Sequence, residues 1–326
     1  MKAMHYAKAD RLANRMRWRI RTGDWDRLRS IGNQFERGRC YRETWKALSA
    51  YVENSCTHDD LPIWRGPHHA CDKLLVLSRS RDLGDELRII RFLAHAARDV
   101  PQVTARVEAR LIPLLQRSFP TVEFVDRTQP LDPAAFSHMA AQERLAYWYG
   151  TDDEAIRTSF LPLVPPDAQE PAQGIGIAWY SRAIGKSLPC IDDWAHVLSD
   201  LPGRIQSLQY REQDAKFQQL SAQAGRPIKR GRRVNQKKHL DQFAAQVAGV
   251  RGVLTISNTT AHMAGALGIP SVVVLDNGIV TTWPYEATTT PFYPNCRLIR
   301  REQGTWREAL LAGRAQLLAM IDSEIR

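Results

Sequence analysis

The chain has 326 residues, of which 44% are apolar and 25% charged, which is typical of one large or two medium globular domains. This composition excludes a disordered tail, a collagen-like fibre and a small disulfide-stapled domain. The formal net charge is +10, and the excess is concentrated in two segments. Residues 1–22 carry a net charge of +6 and residues 226–238 one of +7, so the rest of the chain sums to about −3 and is nearly neutral.

Cysteine usage and the terminal sequence favour a reducing compartment. The five cysteines are an odd number without a Cys-x-x-Cys pair, so neither a disulfide framework nor a redox motif is indicated. The first residues lack the apolar stretch and the cleavage site of a secretory signal. Residues 252–275 contain no Asp, Glu, Lys or Arg, but their many polar side chains favour a buried strand and helix over a membrane span. We therefore expect a cytoplasmic protein.

The first 60 residues predict a basic helical extension. Helical patterns cover residues 6–22, a short stretch that ends at Gly32, and residues 42–54, with a turn at Gly23 and Asp24. Each apolar stripe is thin, so these helices need to pack on each other or on the rest of the chain.

From residue 73 onward, strands alternate with helices, a pattern that predicts parallel sheets covered by helices. In the first half we expect strands over 73–79, 104–109 and 122–126, a helix over 85–98, and a helical stretch over 132–150. A Pro-rich segment at 161–174 is typical of an interdomain linker. After residue 174 the alternation of strands and helices begins again.

This organisation predicts an α/β protein with two Rossmann-like domains and a cleft between them. We expect the first domain over residues 61–165 and the second over 166–326, with the last helix packing back on the first domain. Ligands of such sheets bind outside the carboxyl ends of the strands.

Residues 252–270 are the most informative segment. A strand, GVLTIS, leads into Asn258 or Thr259 as a helix N-cap, Gly268 supplies the exit from the helix, and Pro270 prevents its continuation. The backbone N–H groups and dipole of this helix, with the hydroxyls of Thr259 and Thr260, suit a diphosphate. A well-capped helix with no ligand fits the same pattern.

Several motifs occur in a fixed order along residues 61–320. They are Pro62-Ile63-Trp64-Arg65-Gly66, Leu83-Gly84-Asp85-Glu86, RLIPLLQRSFP, GIGIAWYSRAIGKSLP, SLQYR, ISNTTAHMAGALGIP and TPFYPNCRLIRREQGTW. This set resembles the heptosyltransferase-like glycosyltransferases, or glycosyltransferase family 9. It is most similar to the glycosyltransferase region of bacterial tetratricopeptide-repeat proteins. The Thr-Thr pair also resembles the nucleotide-phosphate turn of O-linked N-acetylglucosamine transferases.

The resemblance implies a GT-B fold and an inverting, metal-independent transfer of a sugar from a nucleotide-sugar donor, with no cofactor. The acceptor would be a hydroxyl of a protein, such as a surface or flagellar protein, or of a cell-envelope glycan. At the position of Asp85 the resemblance implies the general base that deprotonates this hydroxyl, with Glu86 as the weaker alternative. An acid that only complements a helix dipole fits Asp85 equally well.

The second domain would bind the nucleotide sugar. By resemblance, Lys186 would neutralise the diphosphate leaving group, assisted by Arg182, and Gln209 and Tyr210 would border the base or ribose. His262 fits a phosphate contact or a buried, hydrogen-bonded histidine. The complete predicted donor site is Ser181, Arg182, Lys186, Gln209, Tyr210, Asn258, Thr259, Thr260 and His262.

Other interpretations remain open. A non-catalytic GT-B-like module that binds nucleotide or protein is the alternative function. The N-terminal helices would dock a protein acceptor or only buttress the fold. The basic loop 226–238 suits a nucleotide sugar, an acidic acceptor or an anionic membrane surface, or serves only solubility. No nucleic-acid motif accompanies the charge, so we expect no specific nucleic-acid partner. The cysteines and histidines on either side of residues 61–66 weakly suggest zinc, but we expect no metal site.

Overall fold

In the computed structural model the chain forms two compact units, Met1–Leu161 with Thr282–Glu286, and Pro162–Thr281 with Ala287–Arg326. The structure describes residues 6–25, 27–54, 61–78, 83–166, 172–182, 187–209, 214–230, 234–235, 238–276, 283–302 and 304–323. None of the helices in these ranges is both long and apolar enough to span a membrane.

Three helices begin the first unit: α1 (Tyr6–Thr22), α2 (Leu28–Arg37) and α3 (Tyr41–Glu53). The prediction that the second helix ends at Gly32 is wrong, because α2 continues to Arg37. A Cβ atom at Gly32 would lie 2.6 Å from Cδ2 of Leu48 and 3.4 Å from the carbonyl oxygen of Thr44, both in α3. Gly32 therefore lets two helices approach closely and does not terminate one.

The first sheet is parallel and has the strand order β3-β2-β1-β4. Its strands are β1 (Lys73–Leu77), β2 (Gln102–Val107), β3 (Glu123–Asp126) and β4 (His138–Ala141). Its helices are α4 (Leu83–Ile89), α5 (Leu93–Asp99), α6 (Ile112–Ser118), α7 (Gln142–Tyr149) and α8 (Asp153–Thr158), with 3₁₀ turns at Ile90–Phe92, Ala109–Leu111 and Pro133–Ala135. The first of these turns interrupts the helix expected over 85–98.

Strand β4 overturns the prediction that residues 132–150 form one helical stretch. It pairs with β1 from Leu74 opposite His138 to Leu77 opposite Ala141, and only the residues after it form a helix. A short apolar run reads equally well as a buried strand or as part of a helix, so pairing within the sheet decided its conformation.

The second sheet is also parallel, with the order β10-β9-β8-β5-β6-β7. Its strands are β5 (Ile175–Ala178), β6 (Ile205–Ser207), β7 (Ile228–Arg230), β8 (Gly252–Ile256), β9 (Ser271–Asp276) and β10 (Cys296–Arg301). Counted from β5 in chain order, this is the 3-2-1-4-5-6 arrangement of a Rossmann fold. The predicted α/β class with two parallel sheets is therefore confirmed.

The helices of the described residues that flank the second sheet are α9 (Ile191–Ser199), α10 (Asp214–Gln223), α11 (Leu240–Ala248), α12 (Thr259–Ala266) and α13 (Trp306–Ser323). The sequence patterns did not predict α10, the edge strand β7 inside the basic loop, or β10. The last helix, expected on the first domain, covers the second sheet, where a Cβ atom at Gly313 would lie 2.9 Å from Val274.

Candidate functional site

Each sheet has a point at which the strand order reverses, between β1 and β4 in the first and between β5 and β8 in the second. The connections leave such neighbouring strands in opposite directions, and the gap at their carboxyl ends is where ligands of open α/β sheets bind. Asp85 follows β1, Ser181 and Arg182 follow β5, and residues 258–262 follow β8. The topology therefore brings these predicted residues to the switch point of their own sheet.

In the first unit, Asp85 lies in the first turn of α4 between two arginines. Its Oδ1 accepts a hydrogen bond from Nη2 of Arg88 at 3.3 Å, and its Oδ2 lies 4.0 Å from Nη2 of Arg29 in α2. The side chain is 30% exposed, so the carboxylate is held in place by two positive groups and still reaches solvent. This position is compatible with a base and with a structural acid.

A cavity of about 250 Å³ opens beside Asp85. Asp85 contributes from one side of the switch point, and Glu143, in the first turn of α7 after β4, contributes from the other. Arg29 and Asn33 of α2 and four residues of α3 form a further wall; those of α3 are Trp45, Leu48, Tyr51 and Val52. The N-terminal extension is thus part of this pocket.

Glu143 was missed by sequence reasoning. An acid in the first turn of a helix that follows a strand at a switch point is the same signal that singled out Asp85. The signal is hidden in the sequence because residues 138–141 fit the pattern of a helix as well as that of a strand. Glu143 could be recognised only once β4 was known to be a strand beside β1.

Glu86, the weaker candidate for the base, is fully buried, and both of its carboxyl oxygens are hydrogen-bonded within the fold. Its Oε1 accepts a hydrogen bond from the backbone N–H of Glu108 at 3.1 Å, and its Oε2 accepts one from Nη2 of Arg127 at 3.1 Å. Burial raises the pKa of Glu86, while the Arg127 guanidinium opposes that shift. This carboxyl group ties α4 to the ends of β2 and β3.

Buried polar contacts fix the extension to the rest of the first unit. Glu36 of α2 forms an ion pair with Arg88 of α4, and both side chains are buried. At α7, Nε of Arg144 donates to Glu53 at 2.9 Å, and Nε1 of Trp45 donates to the carbonyl oxygen of Gly150 at 2.8 Å. Removing one member of a buried ion pair is strongly destabilising, so these contacts hold the pocket wall in position.

In the second unit, Asn258 is the N-cap of α12, as one of the two sequence alternatives predicted. Its Oδ1 accepts from the backbone N–H of Ala261 at 3.1 Å, and α12 begins at Thr259. Its side-chain nitrogen lies 3.5 Å from the carbonyl oxygens of Ala178 and Tyr180, at the end of β5. Asn258 thus joins the two strands of the switch point as well as capping the helix.

The structure gives three other predicted donor-site side chains internal partners. Gln209 accepts hydrogen bonds from the backbone N–H groups of Trp179 and Tyr180, both at 2.9 Å, and is buried. The hydroxyl of Thr260 is buried and donates to the carbonyl oxygen of Leu208 at 3.0 Å. His262 is buried, with Nδ1 3.1 Å from the hydroxyl of Tyr293. These contacts favour a structural role for all three side chains.

Thr259 and Ser181 are half-buried and Arg182 is exposed around the same switch point. The first turn of α12 carries no acidic residue, so no side chain there offsets the positive end of the helix dipole. The predicted residues Lys186 and Tyr210 lie outside the described residues. The described residues at this switch point therefore include the N-terminus of α12, the hydroxyls of Thr259 and Ser181, and the exposed guanidinium of Arg182. These groups suit an anion.

Within the described ranges, no group of three or more His, Cys, Asp or Glu side chains is arranged to hold a metal ion. Cys56 and His58, two of the five cysteines and histidines considered for zinc from the sequence, lie outside those ranges. Of the basic loop 226–238, residues 231–233, 236 and 237 also lie outside them.

Comparison of sequences relates the chain to a longer protein. No protein-family model matches the chain. A curated relative, protein FlbA of Caulobacter vibrioides, is 25% identical over 278 residues, which is 73% of this chain and 45% of FlbA. The chain therefore spans less than half the length of this relative.

Solved structures of glycosyltransferases share the architecture. ADP-heptose LPS heptosyltransferase II of E. coli is 15% identical, with a TM-score of 0.53 over 78% of this chain and 100% of its own. A glycosyltransferase family 9 protein of Veillonella parvula is 13% identical, with a TM-score of 0.54 over 77% of this chain and 96% of its own. The iron-containing dodecameric glycosyltransferase TibC of enterotoxigenic E. coli has a TM-score of 0.51 at 14% identity, over 81% of this chain and 77% of its own. The chain has the GT-B fold of heptosyltransferases.

Proposed function

We propose that the chain is an inverting glycosyltransferase that moves a sugar from a nucleotide-sugar donor to an acceptor hydroxyl. The observation that carries the proposal is the pair of switch points with complementary chemistry. One holds a partly exposed carboxylate beside a cavity, and the other holds a helix N-terminus without acidic residues. A general base and an anion site are the two groups that this reaction needs.

In this proposal the first unit holds the acceptor and the second holds the donor. The Asp85 carboxylate takes the proton of the acceptor hydroxyl as its oxygen attacks the anomeric carbon of the sugar. The bond from that carbon to the diphosphate breaks, and the nucleoside diphosphate leaves from the opposite face, so the configuration inverts. The first-turn N–H groups of α12, the hydroxyl of Thr259 and the cations Arg182 and Lys186 stabilise the departing negative charge. No metal or cofactor takes part.

The donor site is tested first, because it does not require the acceptor to be known. Melting temperatures are measured with UDP, GDP, ADP, CMP and their sugar conjugates, since a ligand that binds only the folded state raises stability. Thr259→Glu places a negative charge where the diphosphate would bind, yet an acid in the first turn suits the helix dipole. We expect this variant to fold normally and to lose the shift, while the neutral control Thr259→Gln retains most of it. A shift that survives Thr259→Glu would remove α12 from the donor site.

The base is tested by Asp85→Asn, with Asp72→Asn, at an exposed position just before β1, as the matched control. The nucleotide-dependent shift should persist in both variants. Release of nucleoside diphosphate in the presence of acceptor fractions, either cell-envelope glycans or proteins, should fall about 10²–10⁴-fold in Asp85→Asn only. Equal activity in the two variants would remove Asp85 from the mechanism.

A second candidate is a non-catalytic module that binds nucleotide or protein. The internal hydrogen bonds of Gln209, Asn258 and Thr260 favour it, because those side chains are already used within the fold. A nucleotide-binding module predicts a nucleotide-dependent shift without sugar release from any donor, and a protein-binding module predicts no shift. Neither predicts an effect of Asp85→Asn.

A further inference from the structure

The cavity beside Asp85 contains a second carboxyl group with an unmet hydrogen-bonding need. Oε2 of Glu143 is buried and has no hydrogen-bond partner among the described residues. Leaving a buried polar atom unpaired is unfavourable because its desolvation is not compensated. Glu143 also lines the cavity, so a molecule bound there lies beside this side chain.

The surroundings of Glu143 disfavour a negative charge on it. Burial, with smaller contributions from the carboxylates of Asp85 and Glu53, raises its pKa to about 8, against the opposing effects of a hydrogen bond to its own backbone and of the Arg88 guanidinium. Among the described residues, the charged groups that act on it are Asp85 and Arg88 on α4 and Glu53 on α3, and Arg29 on α2 lines the same cavity. Glu36 on α2 and Arg144 on α7 pair with Arg88 and Glu53.

The nearby arginines already have carboxylate partners. Arg88 pairs with Glu36 and Asp85, Arg144 pairs with Glu53, and Arg29 lies near Asp85. These arginines therefore compensate the charge of other carboxylates, and Glu143 shares the cavity with the negatively charged Asp85.

We propose that Glu143 acts as a neutral carboxylic acid in the acceptor site, donating a hydrogen bond from its carboxyl group to an oxygen of the acceptor next to the hydroxyl that Asp85 deprotonates. This inference rests on the proposed function. It gives two carboxyl groups in one cavity different roles, set by their surroundings. The proton of the reacting hydroxyl passes to Asp85, and the proton of Glu143 stays where it is, so Glu143 orients the acceptor and selects one that carries a second oxygen.

The protonation state is measured on the full chain by infrared difference spectroscopy between the wild type and Glu143→Gln. A protonated carboxyl C=O band should be present in the wild type below about pH 8, decline above it, and be missing from the variant. Glu154→Gln, at an exposed position of α8, is the control and should leave the band in place. A wild type without this band at neutral pH would overturn the proposal.

The donor role is measured with neutral methyl glycosides as probes, by saturation-transfer NMR. The amide of Glu143→Gln also donates a hydrogen bond, so binding should stay within about threefold of the wild type, whereas Glu143→Leu should weaken it at least tenfold, or about 1.4 kcal/mol. Equal weakening by Gln and Leu, no weakening by Leu, or failure of every probe to bind the wild type would each overturn the proposal. The proposed function is judged separately, by the nucleotide-dependent melting shift, because that measurement does not involve this cavity.

Discussion

The amide of Gln209 holds the end of β5 to the end of β6 by accepting hydrogen bonds from two consecutive backbone N–H groups. Gln209→Ala leaves the buried N–H of Trp179 without a partner, so we expect the free energy of unfolding to fall by about 2–3 kcal/mol. Urea denaturation measures this loss. Gln218→Ala, at an exposed position of α10, is the control, and equal stability of the two variants would show that Gln209 contributes nothing to this junction.

Glu143 gives the stability of the protein a specific pH dependence. Its pKa is raised to about 8 in the folded state, whereas an unfolded glutamate has a pKa of about 4.3. Between these values the folded chain binds a proton that the unfolded chain does not, so stability falls as the pH rises through this window.

We therefore expect Glu143→Gln to be more stable than the wild type above pH 8, with the difference shrinking as the pH is lowered towards 4.3. Urea denaturation at a series of pH values measures it. Because Glu86 titrates in the same direction in both proteins, only the difference between them reports on Glu143. A difference that does not vary with pH would mean that Glu143 titrates alike in both states.

The sequence placed the cap of α12 at Asn258 or Thr259, and Asn258 is the cap. This position was predictable to within one residue because a cap depends on neighbouring residues alone. It could not predict the partners of Gln209 and Thr260, which belong to other strands and are set by strand order. Side chains that resembled ligand contacts therefore proved to join backbone segments. Whether Asp85 and Thr259 bind substrates remains a prediction.

At the level of the helices, α2 and α3 depend on the missing side chain at Gly32. Alanine is a better helix former by about 1 kcal/mol, but its Cβ would overlap Leu48. We expect Gly32→Ala to destabilise the protein by about 1–3 kcal/mol, as overpacking does.

A double-mutant cycle with Leu48→Ala isolates this contact. In that background the added methyl group no longer meets the leucine, so Gly32→Ala should become neutral or stabilising in urea denaturation. If Gly32→Ala lowers the free energy of unfolding equally in both backgrounds, the contact with Leu48 does not explain why residue 32 is a glycine.

Elements that follow the alternation of strands and helices were predictable from the sequence, whatever their length. Helix α1 was predicted over the range observed, and β1, β2 and β3 were predicted within a few residues. The missed strands β4, β7 and β10 lie at sheet edges, in segments whose pattern does not indicate a strand. Their conformation depends on pairing with strands that are distant in sequence. The parallel class of both sheets was predictable because it follows from the alternation of elements, which a missed edge strand does not alter.

For the molecule as a whole, the net charge of +10 predicts binding to anionic surfaces. Helix α1 presents exposed arginines at positions 11, 15, 17 and 21. We expect cosedimentation with vesicles that contain phosphatidylglycerol, weaker binding at high salt, and none to neutral vesicles.

Replacing these four arginines with glutamine should weaken the association by up to about 1 kcal/mol per charge. Unchanged binding of the variant would assign the effect to the other basic segment, and salt-independent binding would show that charge is not responsible.

The wall that α2 and α3 contribute to the cavity has a consequence for how such a protein can diversify. Six of the ten residues that line the cavity proposed for the acceptor lie in α2 and α3, whereas the sheet proposed to bind the nucleotide lies in the other unit. Exchange of the first 54 residues between relatives, as one gene segment, would therefore replace acceptor preference while leaving donor preference intact. New acceptor specificities could then arise by recombination, without passing through intermediates that no longer bind the donor.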